Sequence, residues 1–460
     1  MKIAILGAAG ARTPLIVQAL ILRSGQGWIG LDELALMDID GERLDLIAAL
    51  TAPLERSHSL RVRISRTTDA RQALTGADFV ITTFRVGGLE SRIVDERVPL
   101  GHGILGQETT GPGGLAMALR TIPVLLDYVR LMRDACPNAW LINFANPAGL
   151  LAEAIARVGG WPRAVGICDA PQTMRQVAAA AIGAPSAEVF LDYFGLNHLG
   201  WLRAILYHGR DYLPQLIETL RVREAGGKPG LPFDADLLAG LGLIPNEYLY
   251  YYYYNAQAVQ NNLKAGYTRG EHVAALNRQL YAELRRLRAD EDIEGMLAAY
   301  RAYVGQRGQT YMVGETGAGH DLAQLDAATV EALSSEGYAG VALELIGALT
   351  GAHPSRMILN LPNGGSIDGM AGDDVVEIPA LAERGLIRPL VVGRVPGHCL
   401  GLMQQVKACE RLTIEAAVEG SYSKALLALS LHPLVRDRAT AKAILDEYRE
   451  QHGALFPALA

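Results

Sequence analysis

Long apolar runs and cysteines are both scarce in this chain of 460 residues. No stretch of about 18 uninterrupted apolar residues occurs, so the sequence contains no candidate membrane-spanning helix. A lysine precedes an apolar run at the N-terminus, but a glycine turn follows where a signal peptide would continue, so this run is interpreted as a first strand. The four cysteines are too few and too scattered for a secreted disulfide framework, which predicts a reducing, cytoplasmic location.

Blocks of a single charge are also missing. The net charge of −7 is spread along the sequence, and no basic segment is available to follow a nucleic-acid backbone. We therefore expect neither nucleic acid nor a membrane as a partner, and we expect any bound phosphate to be a small one held by a few arginines. Half of the residues are apolar, which is enough for a large core divided between two lobes.

Apolar runs alternate with helical patterns through the first third of the sequence. Residues 2–6 predict a strand, a glycine turn follows at 7–14, and residues 15–22 have helical spacing. Such alternation is typical of a parallel sheet with helices on both faces, so the predicted fold class is α/β with an N-terminal Rossmann-like sheet. Further strands are predicted at 34–37, 78–83, 139–144 and 165–168, and a further helix at about 115–133.

The alternation of strands and helices continues for one more unit beyond residue 155, up to the predicted strand at 165–168, and the pattern then changes. A tyrosine-rich segment at 248–254 is followed by helical patterns at about 272–303 and 409–431, with turn-rich and short strand-like runs between them. This mixture predicts an α+β domain. We therefore predict a Rossmann-like cofactor domain at residues 1–155, and a mixed domain for catalysis, substrate binding and oligomerisation at residues 156–460.

The turn after the first strand has the composition of a dinucleotide site. In such a site, glycines bring backbone N–H groups and a helix N-terminus close to a pyrophosphate, and an acid ending the second strand holds a ribose hydroxyl. Gly7, Gly10 and Asp38 match these roles, although Gly-x-x-Gly departs from the usual G-x-G-x-x-G. An ordinary turn without a ligand is the alternative. Asp38 favours NAD over NADP, because an acid there would repel a 2′-phosphate.

Eight further blocks of sequence resemble one enzyme family and occur in its order along nearly the whole chain. They read FRVGG at 84–88, RIVDE at 92–96, GQETTGPGG at 106–114, NFANP at 143–147, CDAP at 168–171, GLNHLGW at 195–201, PNEYL at 245–249 and NLPN at 360–363. In these blocks the chain is similar to glycoside hydrolase family 4, and in particular to its 6-phospho-glucosidases.

The resemblance implies a glycosidase that requires NAD and a divalent metal, usually manganese, rather than the paired carboxylates of most glycosidases. In that scheme NAD oxidises the C3 hydroxyl of the sugar, which acidifies the C2 proton, and a base removes this proton. The C1 leaving group is then eliminated, water adds, and the same cofactor reduces the C3 ketone. Family members are commonly dimers or tetramers, so a homo-oligomer is expected.

Cys168 and His198 are the residues expected to hold the metal. Cys168 ends a predicted strand at the carboxyl edge of the sheet, where ligands bind in open α/β folds, and His198 follows in a polar turn. Two protein ligands would leave positions open for sugar oxygens. Ligand type alone would favour zinc, so manganese is implied only by the resemblance. A buried thiol and a core histidine without a metal are the alternative.

Three residues match catalytic positions of the family. The resemblance implies that Tyr248 removes the C2 proton, with Tyr250 as the second candidate. A phenol of ordinary pKa, about 10, would need a nearby cation for this task. Asp169 matches the general acid of the 6-phospho-α-glucosidases, whereas β-acting members more often have Asn there. Glu108 is expected near the metal or C2.

Arg92, Asn146 and Arg269 correspond to positions that contact the sugar and its 6-phosphate, and guanidinium groups suit a phosphate dianion. The blocks at 84–114 and 407–431 are closer to β-acting members, so the predicted function is hydrolysis of 6-phospho-β-glucosides. A 6-phospho-α-glucosidase is the first alternative. A malate- or lactate-type NAD-dependent dehydrogenase is the second, and a nucleotide-binding protein without catalysis is the third.

Overall fold

The structure is a computed structural model that describes residues 1–57, 62–225, 231–317 and 327–460. Within these ranges the strands β1–β13 are, in chain order, Lys2–Leu6, Glu33–Met37, Arg63–Thr67, Phe79–Thr82, Trp140–Asn143, Ala164–Gly166, Phe190–Leu196, Leu199–Tyr207, Arg210–Asp211, Ile244–Pro245, Ser355–Pro362, Val375–Glu383 and Leu386–Pro389.

The helices α1–α18 of the same ranges are Thr13–Gly25, Gly41–Ser57, Ala70–Leu74, Gly88–Gly101, Gly111–Ala135, Ala148–Arg157, Ala170–Ile182, Leu213–Ala225, Ala235–Leu241, Tyr250–Tyr253, Asn255–Ala265, Arg269–Ala289, Ile293–Gln309, Val313–Thr316, Ala327–Thr350, Gly397–Glu419, Tyr422–Leu431 and Arg438–His452. Among the described residues, no helix combines the length and the apolar composition needed to cross a bilayer.

Six parallel strands form the N-terminal part of the sheet. Their order, β3-β2-β1-β4-β5-β6, is that of the Rossmann fold, which confirms the predicted fold class. The sequence pattern had not indicated β3. This strand is the sheet edge, and its five residues are exposed or half-buried, so it lacks the apolar signal that marks the inner strands.

Antiparallel strands extend the same sheet beyond β6. β11 pairs with β6, β12 with β11, and β7 with β12, and the hairpin of β7 and β8 follows. The predicted mixed character of the C-terminal part is confirmed, because antiparallel strands and helices make up this region. The boundary near residue 155 remains a prediction, since β6 continues the parallel order and hydrogen bonds join both parts.

The two long helical segments predicted in the C-terminal part are each interrupted. The segment at 272–303 is divided between α12 and α13, with Glu291 at a φ of 56° between them. The segment at 409–431 is divided between α16 and α17. There Gly420 ends one helix at a φ of 68°, and the side chain of Ser421 accepts from the backbone N–H of Lys424 to begin the next.

The core lies on both faces of the sheet. Along β1, Ala4 and Leu6 pack on the side of α5, α16 and α17, whereas Ile3 and Ile5 pack on the side of α1 and α15. The inner strands are thus buried on both faces. Because these strands are parallel, their carboxyl ends reach the same edge of the sheet, where the loops that carry the predicted site residues begin.

Candidate active site

The glycine turn after β1 lies against Phe84, two residues beyond β4. Gly7 has a φ of 93°, and a Cβ at this position would come within 2.4 Å of the backbone N of Phe84, so only glycine fits. At Gly10 the nearest atom to an added Cβ is the carbonyl oxygen of Gly7 at 3.4 Å, so protein packing alone does not require glycine there. The turn thus lies where the strand order reverses, between β1 and β4.

Asp38 directly follows β2 and faces this turn. One carboxylate oxygen accepts from the backbone N–H of Ala9 at 2.9 Å, and the other accepts from that of Asp40 at 3.1 Å. A carboxylate has about four acceptor positions, so capacity remains for ribose hydroxyls. The structure therefore brings Gly7, Gly10 and Asp38 together in an arrangement that fits a dinucleotide.

Cys168 and His198 meet at the carboxyl edge of the sheet. Cys168 lies two residues beyond β6, and His198 lies in the two-residue turn between β7 and β8, at a φ of 63°. Sγ of Cys168 is 3.6 Å from Nε2 of His198. The other ring nitrogen, Nδ1, is 3.0 Å from Oγ1 of Thr109. The residues predicted as metal ligands are therefore neighbours, although α7 and β7 separate them in sequence.

This pair fits a divalent cation. Bond lengths of about 2.3 Å to sulfur and about 2.1 Å to nitrogen allow one ion to contact both atoms at their present separation. Burial, followed by the charges of Asp169 and Glu377, raises the pKa of the Cys168 thiol well above its usual value, and burial lowers the pKa of His198 to about 4. A cation would therefore meet a neutral imidazole and displace a thiol proton.

Among the described residues, no three His, Cys, Asp or Glu side chains are grouped to hold a metal ion. The donor set at this edge is therefore one sulfur and one nitrogen. Such a set leaves coordination positions for oxygens of a sugar.

Tyr248 stacks on the imidazole of His198. The ring centroids are 3.7 Å apart and the planes differ by 8°. Asn246 accepts from the backbone N–H of Tyr248 at 3.0 Å, and Tyr311 donates to the phenol oxygen at 3.0 Å. Burial, followed by the charge of Glu247, raises the pKa of Tyr248 well above its usual value. Burial and the charge of Glu247 thus shift the pKa against the role of a base, so a bound cation would have to supply the opposing charge.

Tyr250, the second candidate for the base, is a core residue. It is 5% exposed and stacks on Tyr254, with ring centroids 5.0 Å apart, and Phe233 lies against it. The structure therefore separates the functions of the neighbouring tyrosines, because Tyr248 contacts the metal-ligand candidate and Tyr250 fills the hydrophobic core.

Asp169 lies beside the Cys168–His198 pair. One carboxylate oxygen is 3.9 Å from Sγ of Cys168, and the other is 3.9 Å from a guanidinium nitrogen of Arg12. The side chain of Asp169 remains 39% exposed, so a substrate could reach it. Arg12 lies in the glycine turn, and this ion pair thus connects the cofactor loop with the metal-ligand candidates.

Glu108 lies among arginines. It pairs with Arg85 and, at 3.0 Å, with Arg92. Burial opposes its ionisation, but the charges of Arg85, Arg92, Arg307 and Arg12 lower its pKa to about 2. Glu108 is therefore a charged partner of guanidinium groups, and it is the neighbouring residue, Thr109, that contacts His198.

Arg269 begins α12 and approaches the same arginines. It donates to the backbone carbonyl of Arg307 at 2.7 Å and also to Thr310. Burial, followed by the charges of Arg92 and Arg307, lowers its pKa to about 10. The next residue, Gly270, donates its N–H to Glu96, which pairs with Arg92 at 2.8 Å. We call the group the arginine cluster, and its members are Arg12, Arg85, Arg92, Arg269 and Arg307.

Asn146 also reaches the carboxyl edge of the sheet. It follows β5 by three residues, and its side chain is half-buried. Ten of the eleven predicted site residues thus lie in three adjoining groups, around the glycine turn, the Cys168–His198 pair and the arginine cluster. The eleventh, Asn146, lies in the loop after β5.

Several residues of this site had no predicted role. Thr109 and Arg85 stand inside the family-like blocks, and Arg12 stands in the glycine turn, so the sequence contained a signal for them. Arg307 and Tyr311 lie near the end of α13, in a segment without a motif. Only the packing of α13 against the site identifies these two.

Two cavities adjoin the site. One of about 50 Å³ lies beside His198 and is lined by Thr109, Thr110 and Asn197 among others. A much larger one, of about 1150 Å³, opens between α1, α7 and α15, but Cys168 is the one predicted site residue in its wall. The chemistry of the side chains, rather than cavity size, therefore identifies the site.

Comparison with known proteins agrees with this geometry. Residues 2–184 match the model of the family 4 glycosyl hydrolases, and residues 193–435 match that of the family 4 glycosyl hydrolase C-terminal domain. A probable 6-phospho-beta-glucosidase of Bacillus subtilis (strain 168) is 33% identical over 463 residues, which cover 99% of this chain and 97% of the relative.

Two solved structures share the whole fold. The 6-phospho-beta glucosidase from Thermotoga maritima, with manganese, NAD+ and glucose-6-phosphate, has a TM-score of 0.82 at 28% identity and covers 100% of both chains. A 6-phospho-alpha-glucosidase from gut microorganisms, in complex with NAD and Mn2+, has a TM-score of 0.82 at 27% identity and covers 100% of this chain and 99% of its own. Together with the two family models, these matches show that the chain belongs to the family 4 glycosyl hydrolases.

Proposed function

We propose that this glycosidase hydrolyses 6-phospho-β-glucosides to glucose 6-phosphate and an alcohol or sugar, with NAD and a divalent metal, Mn²⁺, as cofactors. The observation that carries the proposal is the Cys168–His198 pair beside the arginine cluster. Its two candidate ligand atoms are 3.6 Å apart, and Tyr248 stacks on the His198 ring. The names of similar proteins support the substrate class, since the Thermotoga maritima protein is called a 6-phospho-β-glucosidase and the Bacillus subtilis protein a probable one.

Two groups of residues would hold the cofactors. Gly7, Gly10 and Asp38 would hold NAD at the turn after β1, and Cys168 and His198 would hold the metal. When bound, NAD supplies a hydride acceptor for the C3 hydroxyl, and the metal supplies Lewis acidity at the sugar oxygens.

The chain's own groups then handle the protons. Tyr248 accepts the C2 proton. Its backbone N–H donates to Asn246, and Tyr311 donates to its phenol oxygen, and these two bonds hold Tyr248 beside His198. Asp169 donates a proton to the departing oxygen at C1, a task for which its partial exposure beside Cys168 is suitable. Both residues approach the same pair of ligand candidates, which supports roles for them at neighbouring carbons of one sugar.

The arginine cluster binds the 6-phosphate, with Arg92 and Arg269 in contact and Asn146 on the sugar hydroxyls. Glu108 neutralises part of the cluster and orients Arg85 and Arg92. Guanidinium groups form charge-assisted, bidentate hydrogen bonds with phosphate, so this cluster distinguishes phosphorylated from plain sugars.

The α anomer is the first alternative substrate. Asp169 supports it, because this residue matches the general acid of the α-acting members, and the gut 6-phospho-alpha-glucosidase is as similar in fold. Hydrolysis of the p-nitrophenyl α- and β-glucosides, each with and without 6-phosphate, distinguishes the two when NAD and Mn²⁺ are added or omitted. Release from the phosphorylated β-glucoside alone, and only with both cofactors, supports the proposal. Release from the α-glucoside alone replaces it with the alternative.

The dehydrogenase alternative requires a histidine paired with an aspartate at the site. His198 is instead hydrogen-bonded to Cys168 and Thr109. A His452–Asp95 pair does exist at 3.0 Å, but both side chains are 0% exposed, so no substrate reaches them. Net production of NADH, without release of p-nitrophenol, would favour a dehydrogenase.

We also propose a homo-oligomer, a cytoplasmic location, and a division near residue 155 into a cofactor domain and a substrate domain. The family resemblance supports the first of these, and the scarcity and scatter of cysteines support the second. Light scattering of the purified protein measures the oligomeric state, and fractionation of the producing cells measures the location.

A further inference from the structure

The second ring nitrogen of His198 belongs to a buried hydrogen-bond chain. Nδ1 is 3.0 Å from Oγ1 of Thr109, and this hydroxyl is 3.1 Å from Oε1 of Gln107. The three residues are 5% to 9% exposed. Because buried polar groups rely on one another for hydrogen bonds, the positions of the protons along this chain are constrained.

The direction of the chain follows from Gln107. Its Oε1 receives the backbone N–H of Thr109 at 2.6 Å and that of Thr110 at 2.7 Å, which identifies the atom as the amide oxygen, an acceptor only. If the Thr109 hydroxyl donated to His198, the oxygens of Thr109 and Gln107 would face each other with lone pairs alone. Donation to Gln107 removes this repulsion, and Nδ1 of His198 must then carry a proton and donate to Thr109.

We propose that Thr109 is a positioning residue that holds His198 in the tautomer with its proton on Nδ1 and its lone pair on Nε2. Nε2 is the nitrogen that faces Sγ of Cys168 at 3.6 Å. The consequence for metal binding rests on the proposed function. A histidine ligates a metal through an unprotonated nitrogen, and a partner on the other nitrogen sets its tautomer and orientation.

The adjacent residue provides a matched control. Thr110 is 6% exposed, and within the described part of the chain its hydroxyl has no hydrogen-bond partner. It precedes α5 but makes no side-chain cap there. Thr109→Val removes a hydroxyl that bonds His198, whereas Thr110→Val removes a hydroxyl of the same buried turn that bonds nothing.

The tautomer can be measured without metal, cofactor or substrate. In protein labelled with ¹⁵N-histidine, two-bond ¹H–¹⁵N correlations show which ring nitrogen carries the proton, and the signals of His198 are those missing from His198→Gln. We expect a proton on Nδ1 in wild type, in Thr109→Ser and in Thr110→Val, and loss of this single tautomer in Thr109→Val. A wild-type proton on Nε2 would overturn the proposal even if Thr109→Val does not fold.

Binding of Mn²⁺ alone gives the second readout, from the EPR signal of the free ion. We expect Thr109→Val to bind Mn²⁺ about 10- to 100-fold more weakly than wild type, and Thr109→Ser and Thr110→Val to bind as wild type does. Equal tautomers and equal affinities in Thr109→Val and wild type would contradict the role of Thr109. If wild type has the expected tautomer but binds no Mn²⁺, the metal site of the proposed function fails while the role of Thr109 in setting the tautomer stands.

Discussion

The two sides of the active site differ in charge, although both are built from buried ionisable residues. Around Cys168 and His198 the charged neighbours are acids. Burial raises the pKa of Glu247 to about 7, and burial does the same to Glu377. In the arginine cluster, by contrast, the pKa of Glu108 is lowered to about 2, because guanidinium charges outweigh the effect of burial.

The proposed function gives the two sides different electrostatic tasks. The acidic side favours a divalent cation, and the basic side favours a phosphate dianion. A sugar phosphate has its charge at C6 and its reacting carbons at C1 to C3. Between the two sides it would therefore be oriented with the phosphate towards the arginines and the ring towards Tyr248.

The largest effect is expected from loss of a proposed metal ligand on the acidic side, around Cys168 and His198. We expect Cys168→Ser and His198→Ala to reduce turnover about 10³-fold or more, because the Lewis acid contributes several kcal/mol to the transition state. Thermal unfolding should change little. Cys136→Ser, in a thiol that is buried near the end of α5, serves as the control and should remain active. Full turnover in both ligand variants would remove the metal assignment.

The base on the cation side is tested by isotope exchange. We expect Tyr248→Phe to slow incorporation of solvent deuterium at C2 of the product by about 10²- to 10⁴-fold, the usual contribution of a general base. Tyr250→Phe is the matched control, since Tyr250 packs on Tyr254 in the core. Exchange at the wild-type rate in Tyr248→Phe would assign the proton transfer to another group.

The phosphate side is tested by the ratio of substrates. Arg269→Gln should lower kcat/KM for the phosphorylated glucoside about 10- to 100-fold, since hydrogen bonds to charged groups contribute about 1.5–3 kcal/mol. The plain glucoside should be affected far less. Arg286→Gln, on an exposed turn of the same helix, should leave the ratio unchanged. Equal losses on both substrates would argue against a phosphate contact.

The smallest effect, a change in stability, is expected at the glycine turn. This turn adjoins the side of Cys168 and His198 through the ion pair of Arg12 with Asp169. Gly7→Ala should destabilise the protein by about 1–3 kcal/mol, because its Cβ would meet the backbone of Phe84 and its φ of 93° disfavours other residues. Gly10→Ala should be nearly neutral to folding. Thermal unfolding of Gly7→Ala and Gly10→Ala is measured without NAD. Equal unfolding midpoints in the two variants would contradict the close approach of Gly7 to the backbone of Phe84.

The residues that could be predicted are those with a local pattern. The buried strands and the glycine turn followed from apolar runs and glycine positions, and the site residues followed from motif blocks. The edge strand β3 was missed because its residues are exposed or half-buried, and the division between α12 and α13 was missed because helical spacing continues across it. The spacing of apolar residues along the sequence does not show which strand lies at the edge of the sheet or where a helix is interrupted.

Contacts between segments that are distant in sequence could not be predicted from local patterns. Arg307 reaches the arginine cluster and Tyr311 reaches Tyr248 only because α13 and the residues after it pack beside the site. Glu108 was expected near the metal or C2, and the structure shows that its ion pairs are with Arg85 and Arg92. Its neighbour Thr109 instead contacts His198. Adjacent residues of one turn thus contact different groups, Glu108 the arginine cluster and Thr109 the Cys168–His198 pair.

By itself the sequence determined five of the six parallel strands, the glycine turn, the chemical types of the site residues and the family, because each depends on local patterns of side chains. Only the tertiary structure decided that Cys168 and His198 lie 3.6 Å apart, that acids surround one side and arginines the other, and that Thr109 faces Nδ1 of His198. Distances and pKa values depend on burial and on through-space charge, which arise when separate segments pack together.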